Sequence, residues 1–197
     1  MSAGAKGLLL VLADPPPSLE EEFNDWYDTE HLPERAALPG FETACRYRGI
    51  GDGPAYLATY DLAASSVLES EPYLAVSGAN FSPWTLRVTA RSHPVRITAR
   101  QVWPGGALAR PCARMMLMRL RDAAEGEAAA LAGELRDALS PHGLTQLRIF
   151  ACREPAPDAL LVLAELDGLG GTGREIAGVD SFRARLDLVA TYRPYRP

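Results

Sequence analysis

The strongest constraint on this chain is an order of elements that occurs twice. Gly7–Ala13 is a short apolar run closed by Asp14-Pro15-Pro16-Pro17, the pattern of a buried strand. Ser18, with Glu21 three residues on, reads as a capping box opening a helix, and Glu20, Glu21 and Glu22 favour its first turn. Pro33 lacks an N–H and restricts the residue before it, so the helix is expected to stop at Leu32, with one more turn over 34–38. Phe41–Arg48 and Ala55–Leu62 read as strands about a glycine-rich loop. Ala63–Val76 is helical in composition, kinked or split at Pro72. Ser82-Pro83 starts a short helix to about Arg91, and Val95–Trp103 is a strand. After Pro104-Gly105-Gly106 the order returns. It runs through a strand at Arg114–Leu120, a helix at Ala123–Leu139, strands at Thr145–Cys152 and Ala159–Leu166, a weak helix near Arg174–Phe182 and a strand at Ala184–Tyr192.

The two halves, 1–104 and 105–197, thus each read β-α-β-β-α-β, an α+β ferredoxin-like unit with an antiparallel sheet and both helices on one face. Ala44-Cys45-Arg46 and Ala151-Cys152-Arg153 fall in the second strand of each half, a local echo of duplication. One such unit leaves a sheet face bare. Packing the two sheets together buries both faces and makes a barrel with the helices outside.

Composition narrows the function. The 197 residues are 47% apolar, sufficient for a core, and the net charge of −5 without a basic stripe argues against a nucleic-acid partner. The three cysteines are widely spaced and form no CxxC, which fits reduced thiols in a cytoplasmic protein. The run Leu8–Ala13 is shorter than a secretory core and far short of the ~20 residues of a membrane span. Neither a signal peptide nor a membrane partner is expected. The three histidines show no metal-binding spacing, and Gly168–Gly173 lacks the order of a phosphate-binding loop.

Chemistry concentrates in Phe23-Asn24-Asp25-Trp26-Tyr27-Asp28-Thr29-Glu30-His31-Leu32-Pro33. At about 100° per residue, Leu19, Phe23, Trp26 and Glu30 share one helix face, within roughly 60°. Glu30 is the anomaly, a carboxylate among hydrophobes that needs a partner, a ligand or a wet cavity. Tyr27 and His31 lie one turn apart on the flank, and Asp28 is spaced to meet His31 directly. The pattern predicts a cavity between helix and sheet, lined by Trp26 and Tyr27, with His31 and Glu30 at its mouth. There His31 would be the acid/base, and Asp28 would orient it or raise its pKa. The competing reading makes the aromatics core, places His31 at a helix end, and pairs Glu30 with Arg46 or Arg48.

The same helix, followed by Pro39-Gly40-Phe41 and Arg46-Tyr47, resembles the EthD-like branch of the dimeric α/β-barrel superfamily, across roughly residues 20–48. The second half lacks the histidine motif, so the resemblance implies one functional and one structural half. Single-repeat relatives dimerise to build the barrel. This chain resembles a fused version, which leaves a further homodimer open. The superfamily includes cofactor-free monooxygenases, haem-degrading enzymes, polyketide cyclases and lactone isomerases. The resemblance therefore implies a cofactor-free oxygenase, cyclase or isomerase acting on a hydrophobic aromatic or polyketide-like small molecule. A non-catalytic binder and a purely structural role are the alternatives. Haem would need a histidine facing a large cavity. Only His31 qualifies, and two neighbouring acids with few basic residues nearby argue against it.

Overall fold

The computed structural model describes residues 5–168 and 180–196. Eight antiparallel strands form one closed barrel. They are β1 (Gly7–Ala13), β2 (Cys45–Ile50), β3 (Tyr56–Leu62), β4 (Val95–Trp103), β5 (Arg114–Leu120), β6 (Leu144–Glu154), β7 (Leu160–Leu166) and β8 (Leu186–Pro194). Around the barrel the order is β1-β3-β2-β8-β5-β7-β6-β4. Each half contributes four strands in the same 4-1-3-2 permutation. The halves are hydrogen-bonded along both seams, β2 to β8 and β4 to β6, so neither half has an open sheet edge.

Alternation along the strands sorts the apolar residues into three cores. Leu8, Leu10 and Leu12 of β1 meet Met115, Leu117, Leu161 and Leu163 inside the barrel. Leu9, one register away, packs outward with Phe23, Trp26, Tyr27 and Tyr60 beneath the first-half helices. Met116 and Met118 pack outward in the second half against Leu131, Leu135 and Leu139 of its long helix.

The helices depart from expectation in instructive ways. They are α1 (Glu20–Trp26), α2 (Leu32–Ala36), α3 (Glu71–Leu74), α4 (Pro83–Ser92), α5 (Ala128–Leu139) and α6 (Asp180–Arg183). The Ser18 capping box does not form. The chain enters through a 3-10 turn at Pro17–Leu19, and no side chain caps it. Pro33 does not end the first helix either. A π-helical turn over Tyr27–His31 joins α1 to α2, with the Leu32 N–H reaching the Tyr27 carbonyl five residues back. Widening the turn relieves the clash a proline ring makes with the carbonyl four residues earlier. The segment 63–76 is split, a 3-10 turn at Ser65–Glu69 followed by α3 with Pro72 in its first turn. β2 begins at Cys45 and not at Phe41, because the Glu42 and Thr43 N–H groups both turn to the Asp61 carbonyl. Of the helix expected near Arg174–Phe182, residues 174–179 lie outside the described residues, as do residues 169–173 of the glycine-rich stretch.

One end of the barrel interior is charged. Arg148 is fully buried and donates to Asp61 at 2.6 Å and to Glu165 at 3.0 Å, both also buried. Burial pushes the Glu165 carboxyl up, against the pull of Arg148. The remaining carboxylate oxygens take the linker between the halves. Ala109 N–H donates to Asp61 and Arg110 N–H to Glu165, while Gln101 exchanges two bonds with the Ala107 backbone. Removing Arg148 would leave two carboxylates buried without their cation. Arg148→Met is expected to lower the unfolding free energy by about 3–5 kcal/mol in a urea titration and to loosen residues 104–113 toward protease.

Candidate functional site

The π turn decides which way the polar side chains of the first helix point. In a straight α-helix residues five apart diverge by about 140° at ~100° per residue. Here Trp26 and His31 are stacked, centroids 4.4 Å apart and planes at 28°, because the wide turn brings i and i+5 into line. The Tyr27 ring meets the same imidazole edge-on at 5.2 Å.

These rings border a cavity of about 240 Å³ between helix and sheet. Phe23, Trp26, Tyr27, Tyr60, Tyr73 and Phe81 form most of its wall, and His31, Arg35 and Arg96 bring polar groups to it. Three buried polar atoms here have no hydrogen-bond partner among the described residues: His31 Nδ1, Arg35 Nη1 and the Tyr60 hydroxyl. Buried polar atoms are normally satisfied, so three around one cavity mark a place where a ligand's polar groups belong. Burial, then the nearby Arg35 and Arg46 charges, lower the His31 pKa to about 3. The imidazole is therefore neutral at ordinary pH. Burial likewise raises the Tyr27 and Tyr60 phenols, which stay protonated.

Two expected site residues lie elsewhere. Asp28 does not orient His31. It pairs with Arg46, whose guanidinium also donates to Asn24 at 2.7 Å. Arg46 is sandwiched between the Tyr27 and Tyr195 rings, at 4.3 and 4.2 Å. Glu30 is not at the cavity mouth. The extra residue in the turn swings it toward α4, where it accepts from Ser82 Oγ at 2.5 Å and Thr85 Oγ1 at 3.0 Å. Thr85 in turn accepts from the Trp26 indole N–H at 3.0 Å, so Glu30 holds Trp26 through one hydroxyl. An acid at a helix N-terminus is also favourable in its own right.

The sequence reading missed Arg35 and Tyr60. Arg35 follows His31 by four residues, one α-turn, and that spacing was the available signal. Tyr60 sits on the outward register of β3, facing the helices.

A second, more open cavity of about 420 Å³ is bordered by Asp28, Arg46, Tyr47, Cys45, Cys112 and Tyr195. Of its two arginines, Arg46 and Arg110, the first is already matched by Asp28. Burial raises both thiols, Cys112 to about 11. The smaller cavity, with its unmatched polar atoms, is the better candidate. It does not fit haem. The acids turn away and Arg35 is close, so the charge objection falls. A cavity of about 240 Å³, however, lies below the usual ~300–1,000 Å³ of ligand pockets and has no room for the macrocycle. Among the described residues no His/Cys/Asp/Glu group could hold a metal ion, and no helix is long and apolar enough to cross a membrane.

No protein-family model and no curated protein matches the sequence. Solved structures do resemble it. An anthrone oxidase-like protein superposes with a TM-score of 0.66 at 11% identity, over 98% of this chain and 92% of that one. A candidate monooxygenase from Lactobacillus acidophilus NCFM gives 0.59 at 8% identity, over 98% and 94%. A chlorite dismutase variant from Candidatus Nitrospira defluvii gives 0.61 at 9% identity, over 97% and 91%. The chain has the fold of the dimeric α/β-barrel, ferredoxin-like superfamily, closed here within one polypeptide.

The His31 shift has a thermodynamic consequence. The unfolded chain binds a proton at His31 below pH ~6.5, while the folded chain resists it down to about pH 3. Between these values the unfolded state holds more protons, so this group makes stability fall as pH falls. His31→Gln is expected to flatten that part of the acid limb. Melting temperatures from pH 7 to 3.5 measure it, and an unchanged limb would contradict the burial of a neutral imidazole.

Proposed function

We propose that this protein is a small-molecule enzyme of the cofactor-free oxygenase type that holds a planar aromatic or polyketide-like compound in the helix–sheet cavity. The observation that carries the reading is the convergence of the His31, Arg35 and Tyr60 polar atoms on a wall of aromatic rings. An apolar pocket with a few placed polar groups is what ligand sites commonly look like. In this reading Trp26 and Tyr27 face the substrate's ring. His31 Nδ1 takes a proton from an acidic O–H or C–H of that ring, and Tyr60 holds the adjacent oxygen. Asp28 and Glu30 act only through what they position, Arg46 and Trp26. The EthD-like motif over residues 20–48 supports the assignment, as does the fold-level likeness to proteins named as oxidase-like and monooxygenase.

A second reading, binding without turnover, draws on the low basicity of His31, since a proton acceptor works best with a pKa near the working pH. Dissolved-oxygen uptake separates the two. With anthrone and hydroxynaphthalene probes, uptake is expected for the native chain. It should fall about 100-fold or more in His31→Ala, with probe affinity changed less than about tenfold. Binding with no uptake would establish the second reading, and equal uptake by the variant would remove His31 from the chemistry.

A further inference from the structure

The described residues include four deeply buried arginines, and the way their charges are met differs. Arg148 lies between two carboxylates, Asp61 and Glu165. Arg46 is paired with Asp28. Arg114 clasps the Gly168 carbonyl with two of its nitrogens. Arg35, only 2% exposed, has a single hydrogen bond among the described residues, from Nη2 to the Val76 carbonyl at 2.7 Å. Glu34 lies 3.8 Å from that same nitrogen and is itself a third exposed. Nη1 is buried without a partner, and the residue lines the His31 cavity. The guanidinium carbon lies over the Tyr73 ring at 5.3 Å from its centroid and over the Phe81 ring at 5.9 Å.

A guanidinium keeps its charge at any ordinary pH, and a buried charge is unfavourable unless an opposite charge and hydrogen bonds meet it. Cation–π attraction to these rings meets part of this need, but it leaves the Nη1 N–H groups unanswered. Those groups suit an anionic oxygen, the strongest class of partner for arginine. The rest of the wall is aromatic, so the complementary molecule is a flat apolar body with one negative oxygen at its edge.

From this geometry we infer that the cavity selects an aromatic or conjugated acid, bound as its anion with the charged oxygen on Arg35 Nη1. The inference rests on the cavity's being the ligand site, and it specifies the ligand's charge. Arg35 is then a specificity-determining residue. The same contact has an effect on His31. Burial is the main cause of its low basicity, and an anion on Arg35 offsets one of the two arginine charges that add to it, so the ligand raises the imidazole's basicity in part.

Calorimetric titration of the full chain with 1-naphthoate and with uncharged, similarly shaped 1-naphthalenemethanol tests this. The native protein is expected to bind the acid at least tenfold more tightly, with the preference shrinking as salt is raised. Arg35→Gln should abolish the preference while leaving the alcohol's affinity within about threefold, and Arg35→Lys should keep part of it. If the glutamine variant does not fold, the native comparison and the lysine variant decide. Equal or tighter binding of the alcohol by the native chain, or a preference surviving in Arg35→Gln, overturns the inference and leaves the aromatic-site reading intact. Failure of both probes to bind overturns the two together.

Discussion

One widened helical turn arranges this site. Had residues 20–36 continued as a straight α-helix, Glu30 would have faced the sheet beside Phe23 and Trp26, and His31 would have pointed well away from Trp26. The π turn over Tyr27–His31 rotates everything after it. Glu30 is carried to the N-terminus of α4, where two hydroxyls meet it, and His31 is carried onto the Trp26 ring. Asp28 is left on the flank with Arg46. A cluster that looks like an acid–base pair in sequence is thereby separated. The carboxylates go to structural partners, and among the described residues the imidazole Nδ1 stays without one.

The helix that carries this turn packs on the outside of a closed barrel. Closing eight strands removes every sheet edge but forces polar residues at the inward registers near one end to find partners inside. Asp61, Arg148 and Glu165, one from each of three strands, satisfy one another and then bind the linker that joins the halves. A buried triad of this kind is weak evidence for stability in itself, because desolvation offsets much of the attraction. What it does fix is position. The linker lies across the end of the barrel because its N–H groups are the donors that complete the carboxylates' bonding.

Much of this was legible in the chain and some was not, for identifiable reasons. Strand runs such as Gly7–Ala13 and Val95–Trp103 announce themselves because apolar content and turn residues agree. The duplicated order followed from those runs, and so did the barrel. A helix–sheet cavity beside Trp26, Tyr27 and His31 was expected from Glu30, a carboxylate on the apolar face, and a cavity lies there although Glu30 does not line it. The role of Glu30 was not, since a pattern analysis assumes a constant angle per residue and Pro33 changes that angle several residues ahead of itself. The triad left a fainter trace. Asp61 and Glu165 are lone charges in apolar strands and Arg148 shares β6 with Arg153 and Glu154, and only the register assigns the three to the inside. Arg35 was hidden by its ordinariness, a helical arginine that composition alone assigns to solvent.

The two halves share a topology but pack their helices on the sheet differently among the described residues, and side-chain shape accounts for the difference. In the second half α5 presents Ala128, Leu131, Ala132, Leu135 and Leu139 to Met116, Met118 and Val162, small and flexible groups that fill the space between helix and sheet. In the first half the corresponding face carries Phe23, Trp26 and Tyr27 on a helix already widened, opposed by Tyr56 and Tyr60. Rigid rings at tilted and edge-on angles of 50–68° meet one another well but do not tile the remaining volume. The gap they leave lies where the helix runs on through His31 to Arg35. A buried cation there converts a packing gap between aromatics into a site with a charge preference.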